Sequence, residues 1–281
     1  MLILKTIEEF TKARNNLLKA DTLGFVPTMG YLHDGHIELL KQARRENKYT
    51  VTSIFVNPTQ FGQDEDLDKY PRDFAKDKQI LEKYDCDLLF FPSTKEMYPS
   101  SKPGETFVVP GQTAERLEGA LRPGHFRGVA TIVAKLLNIV NPTITYLGQK
   151  DGQQVAVIKK LVKDLNFTTK ITVVPTVREE DGLAFSSRNS YLSKDNRKKA
   201  PVLYSSLLLA SSEYKNGDHR AQHLKEMIRE QLNMDTEITI DYISIAESDS
   251  LQEVEEASPG CMISAAIWLG NTRLIDNIVL E

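Results

Sequence analysis

LGFVPTMGYLHDGHIELLKQARREN, residues 23–47, carries two different patterns on either side of a short loop. The first six residues form an apolar run of strand type that Pro27 stops. From His36 to Asn47, apolar residues recur at helical spacing with charges opposite. The nine residues from Thr28 to His36 hold two of the five histidines and two of the fifteen glycines. A strand, a glycine-containing loop and a helix in this order predict one unit of an α/β sheet.

The same alternation continues along the chain to about residue 175. Further strand-like segments are YTVTSIFV (49–56), CDLLFF (86–91), TITYLG (143–148) and KITVVP (170–175). Further helix-like segments are RDFAKDKQILEKY (72–84), GVATIVAKLLNIV (128–140) and QQVAVIKKLVKDLN (153–166). This alternation predicts an α/β fold, with a Rossmann-like, doubly wound parallel sheet over residues 1–175.

The pattern changes after residue 175, which predicts a smaller C-terminal α+β domain over residues 176–281. Its helical segments are KKAPVLYSSLLLASSEY (198–214) and HRAQHLKEMIREQLN (219–233). Its short strands are ITIDYISIAE (238–247), CMISAAIWLG (261–270) and TRLIDNIVL (272–280). In the first domain, SSKPGETFVVPGQ (100–112) is predicted to be a long irregular loop, and such loops are often functional.

Composition narrows the class of protein. The chain has 281 residues, 41% of them hydrophobic and 26% charged, which is ordinary for a soluble globular protein. Its net charge of −4 and the lack of a long basic run argue against a nucleic-acid partner. No signal peptide and no apolar window of membrane-spanning length are predicted, so no membrane partner is expected. The two cysteines, Cys86 and Cys261, have no disulfide or metal spacing, which favours a reducing cytoplasm.

Ligands of open parallel sheets bind outside the carboxyl ends of the strands, so the loops after the strands carry the candidate site. Four are rich in polar residues: PTMGYLHDGH (27–36), NPTQFGQDEDLDKYPR (57–72), GQKDGQQ (148–154) and TVREEDGLAFSSRN (176–189). A fifth segment, RPGHFRGV (122–129), enters a helix from a loop and brings Arg122, His125 and Arg127. Each segment taken alone is also typical of a solvated surface turn.

The loop after the first of these strands has the features of an anion site. Gly30 and Gly35 permit close backbone approach, and Asp34 is the expected N-cap of the following helix, whose free N–H groups attract anions. His33 and His36 would lie on one side of the turn, where they could hold a polyphosphate. The alternative is a glycine turn whose histidines only cap or pack.

Two other ligand classes fit the sequence less well. Zinc is disfavoured because the His33–His36 pair lacks further ligands at suitable spacing, and HRAQH at His219 and His223 has no Glu in its second position. Neither a G-x-x-x-x-G-K-[ST] nor a G-x-G-x-x-G motif occurs, so any nucleotide must be held by other groups. Candidate groups for the nucleotide are the cation and carboxylate of GQKD and the hydroxyls and guanidinium of SSRN. Four amides can instead bind the hydroxyls and carboxylate of a small polar substrate: Asn57, Gln60, Gln153 and Gln154.

Taken in order, these motifs resemble the pantoate-β-alanine ligase family over nearly the whole chain. The landmarks are PTMGYLHDGH, FVNPTQF, YPRD, RPGHFRGV, LGQKDGQQ, VPTVREEDGLAFSSRN and TRLIDNI. The first is shared with the wider superfamily of histidine-glycine-histidine nucleotidyltransferases, and the combination is more specific. The resemblance implies an enzyme that uses ATP and Mg²⁺ to join pantoate and β-alanine through a pantoyl adenylate, giving pantothenate, AMP and pyrophosphate. It also implies a homodimer.

The resemblance assigns roles to individual positions. His36 matches the position of a proton donor, but pyrophosphate leaves readily, so electrostatic stabilisation of the transition state is expected to matter more. The residues expected to supply it are His33, His36, Lys150, Ser186, Ser187 and Arg188. The resemblance implies further ATP contacts at Met29, Gly30, Tyr31, Leu32, Asp34, Gly35, Gly148, Gln149, Asp151, Val177 and Phe185. It implies pantoate contacts at Asn57, Gln60 and Gln154, and a magnesium ligand at Asp77.

Four positions depart from the family pattern: Tyr31, Gln149, Gly152 and Phe185, where the family commonly has Ala, Glu, a bulkier residue and Met. They are expected to affect nucleotide affinity more than activity. Two other functions remain open on the residues alone. One is a nucleotidyltransferase whose product keeps the nucleotide, and the other is a non-catalytic nucleotide-binding regulator on the same scaffold.

Overall fold

The structure, a computed structural model, describes residues 1–17, 21–63, 65–100 and 106–281. Part of the predicted loop over residues 100–112 therefore lies outside the described residues. The chain divides into two compact units. The first comprises Met1–Gly148 and Val157–Val174, and the second comprises Gln149–Ala156 and Pro175–Glu281.

A six-stranded parallel sheet forms the centre of the first unit, which confirms the predicted fold class. Its strands are β1 (Leu2–Leu4), β2 (Leu23–Thr28), β3 (Tyr49–Ile54), β4 (Leu88–Phe90), β5 (Ile144–Gly148) and β6 (Lys170–Val174). Their spatial order is β1-β4-β3-β2-β5-β6. Because β2 is followed in sequence by β3 on one side and has β5 on its other side, the chain reverses its winding between β2 and β5.

Helices connect and flank these strands. They are α1 (Ile7–Asn15), α2 (Asp34–Glu46), α3 (Phe74–Lys83), α4 (Thr94–Met97), α5 (Glu118–Leu121), α6 (His125–Val140) and α7 (Gly152–Asp164). In α2, Leu39, Leu40 and Ala43 form the buried stripe that the sequence periodicity indicates. Helix α6 is buried over most of its circumference, as expected for its apolar sequence. None of the helices in the described ranges is long and apolar enough to cross a membrane.

The amino-terminal strand and helix, β1 and α1, are absent from the predicted elements. Helix α1 begins with a capping box, in which the Thr6 hydroxyl accepts from the Glu9 N–H and the Glu9 carboxylate accepts from the Thr6 N–H. Strand β1 pairs with β4, from Leu2 opposite Leu88 to Leu4 opposite Phe90. A run of three residues is too short to show the alternation that identifies a strand in a sequence, so β1 is recognised by its pairing with β4.

The sequence predicts that strand β2 stops at Pro27, but Pro27 does not end the strand. The strand continues to Thr28, and Pro27 lies opposite Ser53 of β3. In β2, the residues that pair with β5 are Gly24 and Phe25. Pro27, which has no N–H, therefore lies beyond the part of β2 that is paired with both β3 and β5.

The second unit is built on a three-stranded antiparallel sheet, ordered β7-β8-β9, which confirms the small α+β architecture predicted for the C-terminal part. Its strands are β7 (Ile238–Glu247), β8 (Cys261–Leu269) and β9 (Thr272–Val279), and its helices are α8 (Lys194–Lys199), α9 (Val202–Lys215) and α10 (Ala221–Leu232). Alternate residues of β8, including Ile263, Ala265 and Ile267, pack against apolar residues of α9 and α10 such as Leu207 and Leu224.

The division of the chain differs from the single boundary predicted between residues 175 and 176. It falls after Val174, and Gln149–Ala156 also belongs to the second unit. The physical reason is local: Asn277 of β9 holds the backbone at Gln149, and Ala156 packs against Leu251 and Met262. Alternation of strands and helices cannot reveal such an exchange, because the segment 149–156 lies within the expected βαβ order.

Gly128 tests the close packing of α6 in the first unit. A methyl group at this position would lie 2.3 Å from the carbonyl oxygen of Thr59 and 2.6 Å from the Gln60 nitrogen, so the backbone itself would have to shift. We expect Gly128→Ala to destabilise the protein by about 1–3 kcal/mol in urea denaturation. Gly111→Ala is the matched control, because its methyl group would meet nothing within 4 Å, and it should change stability by less than about 0.5 kcal/mol. Equal stabilities for the two variants would contradict the packing described.

Candidate active site

The loop after β2 contains two consecutive residues in the left-handed region. Gly30 has a φ of 83° and Tyr31 a φ of 54°, an unusual conformation for a residue with a side chain. A methyl group at Gly30 would also lie 3.0 Å from the Asp77 carboxylate, so glycine is needed for space and for conformation. The loop therefore makes a sharp turn at the carboxyl end of β2, beside the point where the sheet reverses its winding.

Asp77, in the first turn of α3, holds this turn. Its Oδ2 accepts from the Tyr31 N–H at 2.8 Å, and its Oδ1 accepts from the Leu32 N–H at 2.7 Å. The residue is only 2% exposed, and burial raises the pKa of its carboxyl above the usual value although the two N–H groups oppose the shift. These contacts give Asp77 a structural role, and the magnesium role expected from the resemblance stays a prediction.

The histidines of the loop form the N-terminal cap of α2. His33, and not Asp34, is the N-cap: its Nδ1 accepts from the Gly35 N–H at 3.2 Å. His36 Nδ1 accepts from the His33 N–H at 3.3 Å, which closes a reciprocal capping box. The prediction for Asp34 as cap is therefore wrong, because the extended backbone at His33 places an imidazole nitrogen where a carboxylate was expected.

This arrangement also fixes the tautomer of both imidazoles. Since each Nδ1 accepts a hydrogen bond, a neutral ring must carry its proton on Nε2. The ring centroids are 4.1 Å apart, so the two rings lie side by side at the N-terminus of α2. Two imidazole N–H donors and the positive end of a helix macrodipole together favour a ligand with negative charge.

Asn57, in the loop after β3, is only 1% exposed and has partners for all of its polar groups. Its Oδ1 accepts from the Tyr98 hydroxyl at 2.7 Å and from the Thr59 N–H at 3.4 Å. Its Nδ2 donates to the Gly128 carbonyl at 3.2 Å and to Gln60 Oε1 at 3.0 Å. The contacts with backbone groups of Thr59 and Gly128 define which end of the Asn57 amide is nitrogen.

The Asn57 contacts determine the direction of the Gln60 side chain. Because Gln60 Oε1 accepts from Asn57, its Nε2 is the end that faces the Met29 sulfur, at 3.4 Å. Gln60 therefore presents N–H donors beside the loop that begins at Met29. Asn57 is expected from the resemblance to touch the substrate, but its burial and its partners favour an indirect role, in which it orients Gln60.

The RPGHFRGV motif forms a polar network with the backbone of Gln60. His125, the first residue of α6, has its Nδ1 2.8 Å from the Gln60 carbonyl oxygen and its Nε2 3.1 Å from Arg122 Nη1. The Arg122 guanidinium binds the Glu65 carboxylate with two hydrogen bonds of 2.7 Å. Burial and the Arg122 charge lower the pKa of His125 to about 4, so the imidazole is neutral near pH 7.

In the second unit, Asn277 of β9 holds the GQKD turn, a 3₁₀ turn over Gln149–Asp151. Its Nδ2 donates to the carbonyl oxygens of Gln149 and Lys150, both at 2.9 Å, and its Oδ1 accepts from Gln149 Nε2 at 2.8 Å. Gly152 follows, and a methyl group there would lie 2.5 Å from the Met262 sulfur. The glycine departure from the family pattern thus fits the close approach of Met262. Lys150 Nζ lies 3.6 Å from Asp151 Oδ1.

Asp276, the neighbour of Asn277, holds the segment that carries SSRN. Its carboxylate receives two hydrogen bonds from Arg178, of 2.5 and 3.0 Å, and the guanidinium lies over the Tyr204 ring at 3.4 Å. The backbones of Arg178 and Ala184 form an isolated antiparallel β-bridge where the segment turns back. The Ser186 hydroxyl then accepts from the Arg188 N–H at 3.2 Å and caps the short 3₁₀ helix over Ser187–Tyr191.

The predicted site residues are distributed over both units. The first unit holds Met29, Gly30, Tyr31, Leu32, His33, Asp34, Gly35, His36, Asn57, Gln60, Asp77 and Gly148. The second unit holds Gln149, Lys150, Asp151, Gln154, Val177, Phe185, Ser186, Ser187 and Arg188. Within the first unit the structure joins the β2 loop to Asp77 and Gln60 to Met29. Within the second, the GQKD and SSRN segments are attached to neighbouring residues of β9.

Several residues that hold these segments are missing from the predicted site: Tyr98, Glu65, Arg178, Asp276 and Asn277. Asp276 and Asn277 lie in the TRLIDNI landmark, and a polar pair inside an apolar strand pattern was the available signal. Tyr98 and Glu65 lie far from Asn57 and Arg122 in sequence, and nothing in their local sequence marks the contacts.

Comparisons with known proteins show which family the chain resembles. The family model of pantoate-beta-alanine ligase matches residues 2–279. The pantothenate synthetase of Thermotoga petrophila is 48% identical over 281 residues, which is 100% of both chains. The crystal structure of the Thermus thermophilus pantothenate synthetase superposes with a TM-score of 0.94 at 44% identity, covering 99% of both chains.

A second solved structure is that of the Francisella tularensis pantoate-beta-alanine ligase, complexed with beta-gamma ATP and beta-alanine. Its TM-score is 0.81 at 40% identity, and the match covers 99% of this chain and 97% of that one. The family model and these relatives match the chain along nearly its full length. The chain belongs to the pantoate-β-alanine ligase family.

Proposed function

We propose that this ligase condenses pantoate with β-alanine at the expense of ATP, through a pantoyl adenylate. The family supplies the overall reaction, the resemblance implies the adenylate, and the chemistry of carboxylates supports it. A carboxylate is a poor acyl donor because its oxide is a poor leaving group, so the pantoate carboxylate must be activated before an amine can attack. The observation that carries the proposal is the cap of α2, where His33 and His36 both present Nε2–H donors at a helix N-terminus.

In the first step, a pantoate carboxylate oxygen attacks the α-phosphorus of ATP. A new O–P bond forms, the bond to the bridging oxygen breaks, and pyrophosphate leaves with the electron pair. We infer that His33, His36, Lys150 and Arg188 stabilise the negative charge that develops on the phosphorus oxygens and on the leaving group. Ser186 and Ser187 supply further hydrogen bonds to phosphate oxygens. The readiness with which pyrophosphate leaves makes charge stabilisation more important than proton donation by His36.

In the second step, the amine of β-alanine attacks the acyl carbon. The C–N bond forms, the C–O bond to AMP breaks, and the amine loses a proton to give the amide. Gln60 suits the substrate side of this reaction because Asn57 fixes its Nε2 as a donor, and a donor can bind a carboxylate or hydroxyl oxygen. We propose that Gln154, in the first turn of α7, supplies the second amide toward pantoate.

The remaining ATP contacts proposed are backbone and apolar ones, from the β2 loop, Gly148, Val177 and Phe185. We propose that Mg²⁺ accompanies the triphosphate, neutralises part of its charge and is held mainly by the nucleotide, as is common for this ion. Among the described residues, no three acidic, histidine or cysteine side chains converge in a metal-binding group. Asp151, whose side chain is about half exposed, has the carboxylate best suited to contribute.

We further propose that the enzyme acts in the cytoplasm as a homodimer. Both cysteines are buried free thiols, which agrees with a reducing compartment. Exposed Leu208 and Leu209 of α9 offer apolar area for a second copy.

The function is tested by supplying ATP and pantoate with and without β-alanine. We expect AMP and pantothenate in equal amounts only when β-alanine is present, because the adenylate stays on the enzyme until an amine attacks it. A nucleotidyltransferase would release pyrophosphate without AMP, and a non-catalytic regulator would bind ATP without turnover. Either result would refute the proposal.

The charge-stabilising role is tested by pantoate-dependent exchange of labelled pyrophosphate into ATP. We expect His36→Ala and Lys150→Ala to slow the exchange by about 100-fold or more, with unchanged far-UV circular dichroism. Lys198→Ala is the matched control, since Lys198 also pairs with an aspartate, at 3.4 Å, but on the exposed surface of α8. Near-normal exchange in the His36 or Lys150 variant would remove that residue from the mechanism.

A further inference from the structure

We propose that Arg122 and His125 are positioning residues for pantoate, which act by fixing the backbone and hence the side chain of Gln60. The inference rests on the proposed role of Gln60 as a pantoate ligand. Arg122 contacts the His125 imidazole, and that imidazole contacts the Gln60 backbone, so their effect on the substrate is indirect.

The direction of each hydrogen bond in the network follows from the groups involved. An arginine guanidinium has donors only, so the contact of 3.1 Å between Arg122 Nη1 and His125 Nε2 requires that Nε2 accept. A neutral imidazole has one proton, which must then lie on Nδ1. The Gln60 carbonyl oxygen, 2.8 Å from Nδ1, can only accept. Arg122 therefore selects the one tautomer of His125 that can hold Gln60.

Burial and the charge of Arg122 keep the His125 ring neutral, with its one proton on Nδ1. Arg122 of the preceding turn contacts the ring, Glu65 of the loop after β3 binds the Arg122 guanidinium, and Glu118 of α5 lies 4.0 Å from that guanidinium. The Phe126 ring contacts the His125 ring edge-on, with a centroid distance of 4.8 Å. A second proton on the ring would put an N–H against the N–H of Arg122. Burial and the Arg122 charge both oppose it, while the two carboxylates favour it.

Gln60 is thus held at two points with different partners. Asn57 fixes the oxygen of its side chain, and His125 fixes its backbone carbonyl. The first contact sets which amide atom faces Met29, and the second sets where the short turn over Pro58–Gln60 places that amide. A donor displaced by about 1 Å no longer makes a good hydrogen bond, so loss of His125 should weaken pantoate binding and spare ATP binding.

The tautomer can be observed directly by long-range ¹⁵N–¹H NMR of the wild-type protein. The chain has five histidines, and the His125 signals are assigned by their loss in His125→Asn. We expect the proton of His125 on Nδ1, whereas His33 and His36 should carry theirs on Nε2. A His125 proton on Nε2 near pH 7 would overturn the proposal.

Kinetics test the consequence for the substrate. We expect His125→Phe to raise KM for pantoate about tenfold while KM for ATP changes less than about threefold, since one hydrogen bond to the Gln60 backbone is lost. His125→Asn should recover most of the loss, because its amide can donate from nearly the position of Nδ1. His219→Phe is the matched control: His219 Nδ1 also contacts a backbone carbonyl, that of Ala257 at 3.2 Å, but in the second unit.

Arg122→Met gives a pH signature that a purely structural role would not produce. Without Arg122, the Nε2 of a neutral His125 can carry the proton, which leaves Nδ1 unable to donate to the Gln60 carbonyl oxygen. Protonation supplies both nitrogens with a proton and restores the contact. We expect KM for pantoate in this variant to fall toward the wild-type value as the pH is lowered from 8 to 6, while that of the wild type stays flat.

The double variant Arg122→Met/His125→Asn should lose this acid recovery, and Arg122→Lys, which keeps the charge without the planar fork, should recover part of the binding at pH 8. If the KM of Arg122→Met does not change with pH, or if pantoate and ATP lose affinity equally, the proposal is wrong.

Gln60→Ala distinguishes the proposed pantoate contact of Gln60 from the positioning role of Arg122 and His125. Unchanged pantoate binding in Gln60→Ala would refute the proposed role of Gln60 itself, whereas a large loss there with a normal His125→Phe variant would refute only the positioning role.

Discussion

The contact of the Asp77 carboxylate with two successive backbone N–H groups, those of Tyr31 and Leu32, is the constraint on which the β2 loop depends. It holds Gly30 and Tyr31 in the left-handed region and so sets the direction in which α2 begins. Burial raises the pKa of Asp77, so its ionisation is less favourable in the folded protein than in the unfolded chain. The free energy of unfolding therefore decreases as the pH rises from the usual pKa of an aspartate to the raised pKa of Asp77. The contribution of Asp77 is the shape of the loop.

The same device recurs at other points of the candidate site. Asn57, Asn277 and Asp276 are all at most 5% exposed, and each bonds to a segment that carries proposed substrate contacts. Amides and carboxylates buried with their partners impose a direction on each hydrogen bond, which apolar packing cannot do. Removing one partner leaves the other buried and unsatisfied, at a cost of about 1–3 kcal/mol. Precise placement of the loops thus comes from buried polar side chains that themselves need not touch a substrate.

Sequence patterns predicted the architecture well because strand and helix periodicities depend on burial, which the sheet determines. The longer strands and all the predicted helical segments are present in the structure. The main elements that were not predicted are β1, a strand of three residues, and the helix α1 that follows it. The motifs also marked the segments that carry polar groups at the ends of the strands. What the sequence could not show is which partner orients each group. His33 instead of Asp34 caps α2 because of the backbone angles at one residue, and Asn277 reaches Gln149 over 128 positions of sequence.

The central claim of this account is that the pantoate carboxylate attacks the α-phosphorus of ATP. Pantoate labelled with ¹⁸O in its carboxylate tests it most directly, because the atom that bonds to phosphorus leaves with AMP when β-alanine attacks the acyl carbon. After one turnover, we expect each AMP to carry one ¹⁸O and pyrophosphate to carry none. Unlabelled AMP, or label in pyrophosphate, would contradict it.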